Sequence, residues 1–98
     1  MVLFETSEFI NWYNEQPSKV QYIIEARLKR ISEEGHWGFI NKFDGLIELK
    51  WTSGIRIYTA KINNITVIIL LGGNKNGQSK DIRKAKKILE KIQGSHFS

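Results

Sequence analysis

The sequence has no cysteine, a single proline at position 17 and only two histidines, His36 and His96. Without cysteine there is no disulfide framework and no thiolate nucleophile, and a zinc site would have to form without thiolates. The two histidines stand far apart with no ligand spacing, so no metal is expected. Long apolar runs are also missing: the longest, Ile65 to Leu71, falls far short of a bilayer span. The N-terminus lacks the basic start and small-residue cleavage site of a signal peptide, so the sequence predicts a cytoplasmic chain with no membrane partner. Gly72-Gly73 lacks the spacing and the following Lys-Ser/Thr of a phosphate-binding loop. His36 has no partner pattern for a serine triad, and no paired carboxylates are evident.

What is present suits one ordinary globular domain over residues 1–98. At 98 residues with 41% hydrophobic content, the chain is large enough for a single core and too apolar for a disordered tail. A net charge of +5 favours anionic partners such as nucleic acid, a ribosome or an acidic protein.

Periodicity predicts the order β-α-α-β-β-β-α. Met1 to Phe4 suits a first strand, and Thr6 or Ser7 can cap a short helix carrying Phe9, Ile10 and Tyr13. Pro17 fits the first position of a second helix, in which Val20, Ile23, Ile24, Leu28 and Ile31 form one apolar face before Gly35 stops it. The period then becomes two: Ile47, Leu49 and Trp51 alternate with Glu48 and Lys50, and Ile55 and Ile57 with Arg56 and Tyr58. Thr52-Ser53-Gly54 reads as a turn and Asn63-Asn64 as a tight hairpin, leading into a strand covered on both faces. Gly72 to Gly77 reads as a loop before a lysine-rich last helix, and residues 94–98 as a flexible tail. The expected class is α+β, with a small, mostly antiparallel sheet, a helical pair on one face and a C-terminal helix.

Alternation puts Glu48 and Lys50 on one strand face and Arg56 and Tyr58 on one face of the next. Both sets are expected to point away from the helix-packed core, with Lys75 at their rim. Such a surface suits RNA phosphodiester chemistry without a metal. Fixed positive charge stabilises the phosphate as it becomes more negative, a lysine among cations moves toward base character, and a tyrosine can stack on a base. The same residues also suit a solvated sheet face with cross-strand ion pairs, and the lysines of the last helix a plain solvated surface. Trp12, Trp37 and Trp51 read as packing residues. The residue pattern alone leaves these readings open.

Three stretches carry a resemblance. Phe39-Ile40-Asn41-Lys42-Phe43-Asp44-Gly45-Leu46-Ile47-Glu48-Leu49-Lys50 resembles the K-x-x-x-G-x-x-E-L-R segment of the RelE/ParE toxin superfamily, in its HigB-like addiction module killer protein branch. Gly54-Ile55-Arg56-Ile57-Tyr58 is similar to that branch's G-Y-R-V-Y-F. The stretch from Leu70 through Gly72-Gly73-Asn74-Lys75 to Ala85 is similar to its L-L-x-G-G-D-K-S-S-Q-x-x-D-I-x-x-A. The resemblance implies a RelE-like fold and a cofactor-free, ribosome-dependent mRNA endonuclease, the toxin of a type II toxin–antitoxin system. Its partners would be mRNA, the ribosome and an antitoxin with a helix-turn-helix domain. It implies Lys50, Arg56, Lys75 and Tyr58 as catalytic residues. Lys42 matches the lysine leading into the strand and, with Lys80, Arg83 and Lys84, is expected to bind RNA.

The chain departs from the pattern in places. Lys50 stands where the branch has arginine, which keeps the charge and loses the bidentate fork. Asn74 replaces an aspartate that could accept a proton, and the C-terminal histidine of some relatives has no secure counterpart in His96. Two other readings use the same fold or charge: a ParE-like inhibitor of DNA gyrase, and a non-enzymatic RNA- or ribosome-binding module.

Overall fold

The computed structural model describes residues 1–97, with side-chain surroundings through residue 94. Strand β1 (Val2–Glu5) leads into helix α1 (Ser7–Asn14). Thr6 caps that helix: its hydroxyl oxygen accepts from the Phe9 N–H at 3.0 Å and donates to the Leu70 carbonyl at 2.7 Å. One side chain thus closes the helix end and ties it to the sheet. Helix α2 (Ser18–Glu34) follows, and Pro17 stands one place outside it. The extended ψ of 153° at Pro17 makes it the cap, its carbonyl accepting from Val20 and Gln21. Gly35, at φ 69°, ends the helix in the left-handed conformation that glycine tolerates.

The remaining elements are β2 (Ile40–Phe43), β3 (Leu46–Lys50), β4 (Ile55–Lys61), β5 (Thr66–Asn74), a 3₁₀ turn at Lys75–Gly77 and helix α3 (Gln78–Phe97). The sheet order is β1-β5-β4-β3-β2, with β1 parallel to β5 and every other pair antiparallel. The chain is therefore α+β, as expected, with one strand more than periodicity indicates. That strand, β2, pairs with β3 through a two-residue hairpin at Asp44 (φ 40°) and Gly45 (φ 85°). An Asp-Gly turn between Phe43 and Leu46 is a strong hairpin signal, and it was legible. The expected loop at Gly72–Gly77 is corrected too, because β5 continues through Asn74 before the 3₁₀ turn. Gly72 lies inside the strand, paired with Ile57, and is glycine there because the Trp12 ring occupies the place a Cβ would take. The β4–β5 hairpin lies at Asn63-Asn64 as expected, but neither residue has a positive φ. Instead the Asn63 side chain accepts from the Ile65 and Thr66 N–H groups, each at 2.9 Å.

Two hydrophobic layers sandwich the sheet. Phe9, Ile24, Leu28, Ile31, Leu49, Ile57, Val67 and Ile69 pack on the α1/α2 side. Leu46, Tyr58, Ala60, Leu70, Leu71, Ala85 and Ile88 pack on the α3 side. Burial of each large apolar side chain contributes about 1.5–3 kcal/mol. The α3 backbone is helical to Phe97, into the stretch where the sequence predicts a tail; Ser98 lies outside the described residues. Among the described residues no helix is long and apolar enough to cross a membrane.

Candidate functional site

Strand register assembles the site. Lys50 lies directly opposite Arg56, and Arg56 opposite Gly73 on its other side. One row further along, Glu48 lies opposite Tyr58 and Tyr58 opposite Leu71. Both rows occupy the α3 face of the sheet. Lys75 reaches the same corner because its N–H donates to the Gly54 carbonyl at 2.8 Å, stitching the turn after β5 to the β3–β4 turn. Its stem runs over Gly54, whose φ of 102° is a backbone conformation that glycine adopts freely. Register and the Lys75–Gly54 bond thus bring Lys50, Arg56 and Lys75 to one corner of the sheet.

The three cations are held differently. Arg56 is half-buried, and its Nη1 donates to the carbonyls of Trp51 and Ile55, each at 2.9 Å, while its buried Nε has no partner. It clamps the β3–β4 turn as well as bringing charge. The Lys50 ammonium sits 4.7 Å from the centroid of the Phe39 ring. Lys75 is exposed.

Glu48 and Tyr58 correct the expectation of a solvent-facing set. Both are 0% exposed, because α3 covers the face that alternation left open. The Glu48 carboxylate accepts from Gln78 Nε2 at 2.8 Å and from Asn41 Nδ2 at 3.3 Å. The Tyr58 hydroxyl lies beside that carboxylate without a hydrogen bond of ordinary geometry. Burial, then the negative charges of Glu48 and Asp81, push the Tyr58 phenol well above its ordinary range, against a smaller opposing effect of Arg56. In this arrangement Tyr58 has no surface on which a base could stack.

The outer cations disperse. Lys42 is exposed on β2, but its partner across the strands is Ile47, which packs on the α1/α2 side. It therefore faces away from Lys50. Lys80, Arg83 and Lys84 are exposed along the start of α3, and Lys84 borders a groove with Glu8, Glu15 and Asp81. Lys86 pairs with Asp44 at 2.7 Å. Asn74, the departure from aspartate, accepts from the Asn76 N–H at 2.9 Å and caps the 3₁₀ turn. His36 is exposed in the segment between α2 and β2; the side chain of His96 lies outside the described residues.

Sequence reasoning missed Arg27, which braces the site from beneath. Its Nε donates to the Trp37 carbonyl at 2.9 Å, and its two terminal nitrogens to the carbonyls of Lys50 and Phe39. The guanidinium also lies 4.4 Å from the Trp51 ring centroid, and burial draws its pKa below the ordinary arginine value. Its partners are backbone groups 10, 12 and 23 residues away, so no local pattern marks it.

No family model matches the chain. An uncharacterized protein of Haemophilus influenzae is 34% identical over 91 residues, which cover 89% of this chain and 91% of that protein. The crystal structure of the intact E. coli RelBE toxin–antitoxin complex contains a chain that matches with a TM-score of 0.61 at 16% identity. That match covers 74% of this chain and 93% of the other, and the fold is RelE-like.

Proposed function

The chain belongs to one family with the Haemophilus influenzae protein, and on its RelE-like fold we propose that it is the toxin of a type II toxin–antitoxin system. In this reading residues 1–98 form one cytoplasmic toxin domain that cuts mRNA on the ribosome without a metal and so inhibits translation. The observation that carries it is the corner where Lys50, Arg56 and Lys75 meet, formed by strand register and by the Lys75–Gly54 bond. The solved neighbour is a toxin–antitoxin complex, which supports an antitoxin partner; a helix-turn-helix antitoxin fits the HigB-like motifs.

Cleavage proceeds by attack of a 2′-oxygen on the adjacent phosphorus. The P–O5′ bond breaks, leaving a 2′,3′-cyclic phosphate and a 5′-hydroxyl. The 2′-hydroxyl loses one proton and the departing 5′-oxygen gains one. Fixed cations are worth most where charge grows, so Arg56 and Lys75 hold the phosphate and Lys50 stands beside them. Tyr58, buried beneath the row, is a positioning residue. Lys80 and Arg83 supply outer phosphate contacts; Lys42 and Lys84 act weakly, given where they face.

Induction of the gene followed by primer-extension mapping of mRNA ends tests this reading. New ends inside translated messages, lost when ribosomes stall upstream, are expected; intact messages during growth arrest would favour a ParE-like gyrase inhibitor. Burial of Glu48 and Tyr58 withdraws two titratable groups from the surface. That favours, as the second reading, a non-enzymatic RNA- or ribosome-binding module, for which expression is tolerated and messages stay whole.

A further inference from the structure

Phe39 is 61% exposed, yet its backbone is fixed from two sides. Its carbonyl accepts from the Lys50 N–H at 3.0 Å and from an Arg27 guanidinium nitrogen. The preceding Gly38, at φ 75°, lies against that same guanidinium, where a Cβ would come within 3.1 Å of Nε. The other exposed large apolar residues lie elsewhere. Tyr22 borders a groove with Glu5 and Glu25, and Ile62 and Ile65 flank the β4–β5 turn at the opposite end of the sheet. Phe39 stands beside the cationic corner, with the Lys50 ammonium over its ring.

We infer that Phe39 is a nucleobase-stacking platform for single-stranded RNA, with Lys50 placed to take the adjoining phosphate. The inference rests on reading the Lys50–Arg56–Lys75 corner as an RNA site. An aromatic face held on a fixed backbone loses little freedom when a base stacks on it, and any base offers a π-face. In the free protein the ammonium covers the ring. Its flexible four-carbon stem lets it swing onto a phosphate when a base arrives. Ring and cation then read the two repeating parts of a single strand, base and phosphate.

The test is fluorescence anisotropy with a labelled single-stranded RNA oligonucleotide, and with inorganic polyphosphate as a competitor that has charge but no bases. Full-length wild type, Phe39→Ala, Phe39→Leu and Phe39→Trp are compared over a range of salt. Phe39→Ala and Phe39→Leu should weaken RNA binding about tenfold, the size expected for loss of one stacked base. Their salt slope and their response to polyphosphate should stay unchanged. Phe39→Trp should bind as wild type, with its indole emission quenched by RNA. Lys50→Ala should instead lower the salt slope by about one. Wild-type affinity in Phe39→Ala, full affinity in Phe39→Leu, or an equal loss for RNA and polyphosphate would each overturn the stacking role. Those outcomes leave the RNA reading of the corner standing, whereas absence of salt-dependent RNA binding by wild type overturns both.

Discussion

Gln78 Nε2 donates to Glu48 Oε2 at 2.8 Å, joining the first residue of α3 to the middle of β3. Because Gln78 directly follows the 3₁₀ turn of Lys75–Gly77, this bond sets where α3 begins and hence where Lys75 stands. The carboxylate is fully buried and also accepts from Asn41. Its loss would leave two donors without a charged acceptor. Glu48→Ala should lower the unfolding free energy by about 2–4 kcal/mol, and Glu48→Gln, which keeps a carbonyl oxygen, by about 1 kcal/mol. Urea titration followed by circular dichroism measures both. A Glu48→Ala midpoint equal to wild type would mean the bond contributes nothing.

Tyr58→Phe should leave stability within about 1 kcal/mol of wild type, because the deleted hydroxyl is buried without a hydrogen bond. It should also leave growth arrest intact, since a fully covered ring touches no substrate. The pH dependence gives a second readout. The folded state raises the phenol's pKa from its ordinary value of 10.0. The neutral form's contribution is therefore complete below that value and is lost as pH climbs from it toward the higher folded value. Wild-type stability should decline above about pH 10, and more steeply than in Tyr58→Phe. Identical slopes in the two proteins would contradict the burial argument.

Strand alternation identified which residues share a face, and Lys50, Arg56 and Lys75 were recognisable because their motifs are local. What alternation does not encode is which faces become covered. Glu48 and Tyr58 are polar and stand where a half-buried strand shows its solvent side, yet α3 closes over them through Gln78, a contact thirty residues away in sequence. Arg27 was invisible for a similar reason, since its partners are distant carbonyls rather than side chains with a pattern. The Asp44-Gly45 hairpin is a different case. Its signal was local, but β2 is a four-residue edge strand whose buried positions are too few to show a period.

Among the three cations of the corner, Lys75 gives the cleaner test. Its backbone N–H bond to Gly54 survives truncation, and its side chain is exposed. Lys75→Ala should relieve growth arrest with a melting temperature within a few degrees of wild type, as surface substitutions rarely exceed about 0.5 kcal/mol. Arg56→Ala should relieve it too, but with a stability loss of about 1–3 kcal/mol, because the carbonyls of Trp51 and Ile55 lose the charged one of their two donors and keep only a backbone N–H. Full toxicity in Lys75→Ala would remove that residue from the site. Lys50→Arg, which restores the bidentate fork, should match or exceed wild-type toxicity.

Gly72→Ala and Gly73→Ala separate a rigid obstacle from a yielding one. At Gly72 the added methyl group would meet the Trp12 ring, which cannot turn aside without opening the contact between α1 and β5. At Gly73 it would meet the end of the Asp81 side chain, which can rotate away. Gly72→Ala should cost about 1–3 kcal/mol or more by overpacking, and Gly73→Ala less than about 1 kcal/mol. Thermal unfolding of the pair decides it; equal losses would mean that Trp12 moves as freely as a carboxylate.

Arg27→Lys tests whether the brace beneath the site needs a fork. The guanidinium serves three carbonyls at once, those of Trp37, Phe39 and Lys50, and also lies over Trp51. A lysine ammonium is a point donor on a flexible stem and cannot hold three carbonyls in one plane. The substitution keeps the charge, so any effect reports geometry. Loss of two hydrogen bonds from a charged group predicts a stability decrease of about 2 kcal/mol. The loosened segment carries Phe39 and the end of β3, so exchange should quicken at the Lys50 amide, which donates to the Phe39 carbonyl. The Thr6 cap and the β4–β5 pairing lie outside that segment and should keep their protection. Exchange that speeds up evenly across the sheet would make Arg27 a general stabiliser. Unchanged exchange with unchanged stability would show that a single charge suffices to hold the three carbonyls.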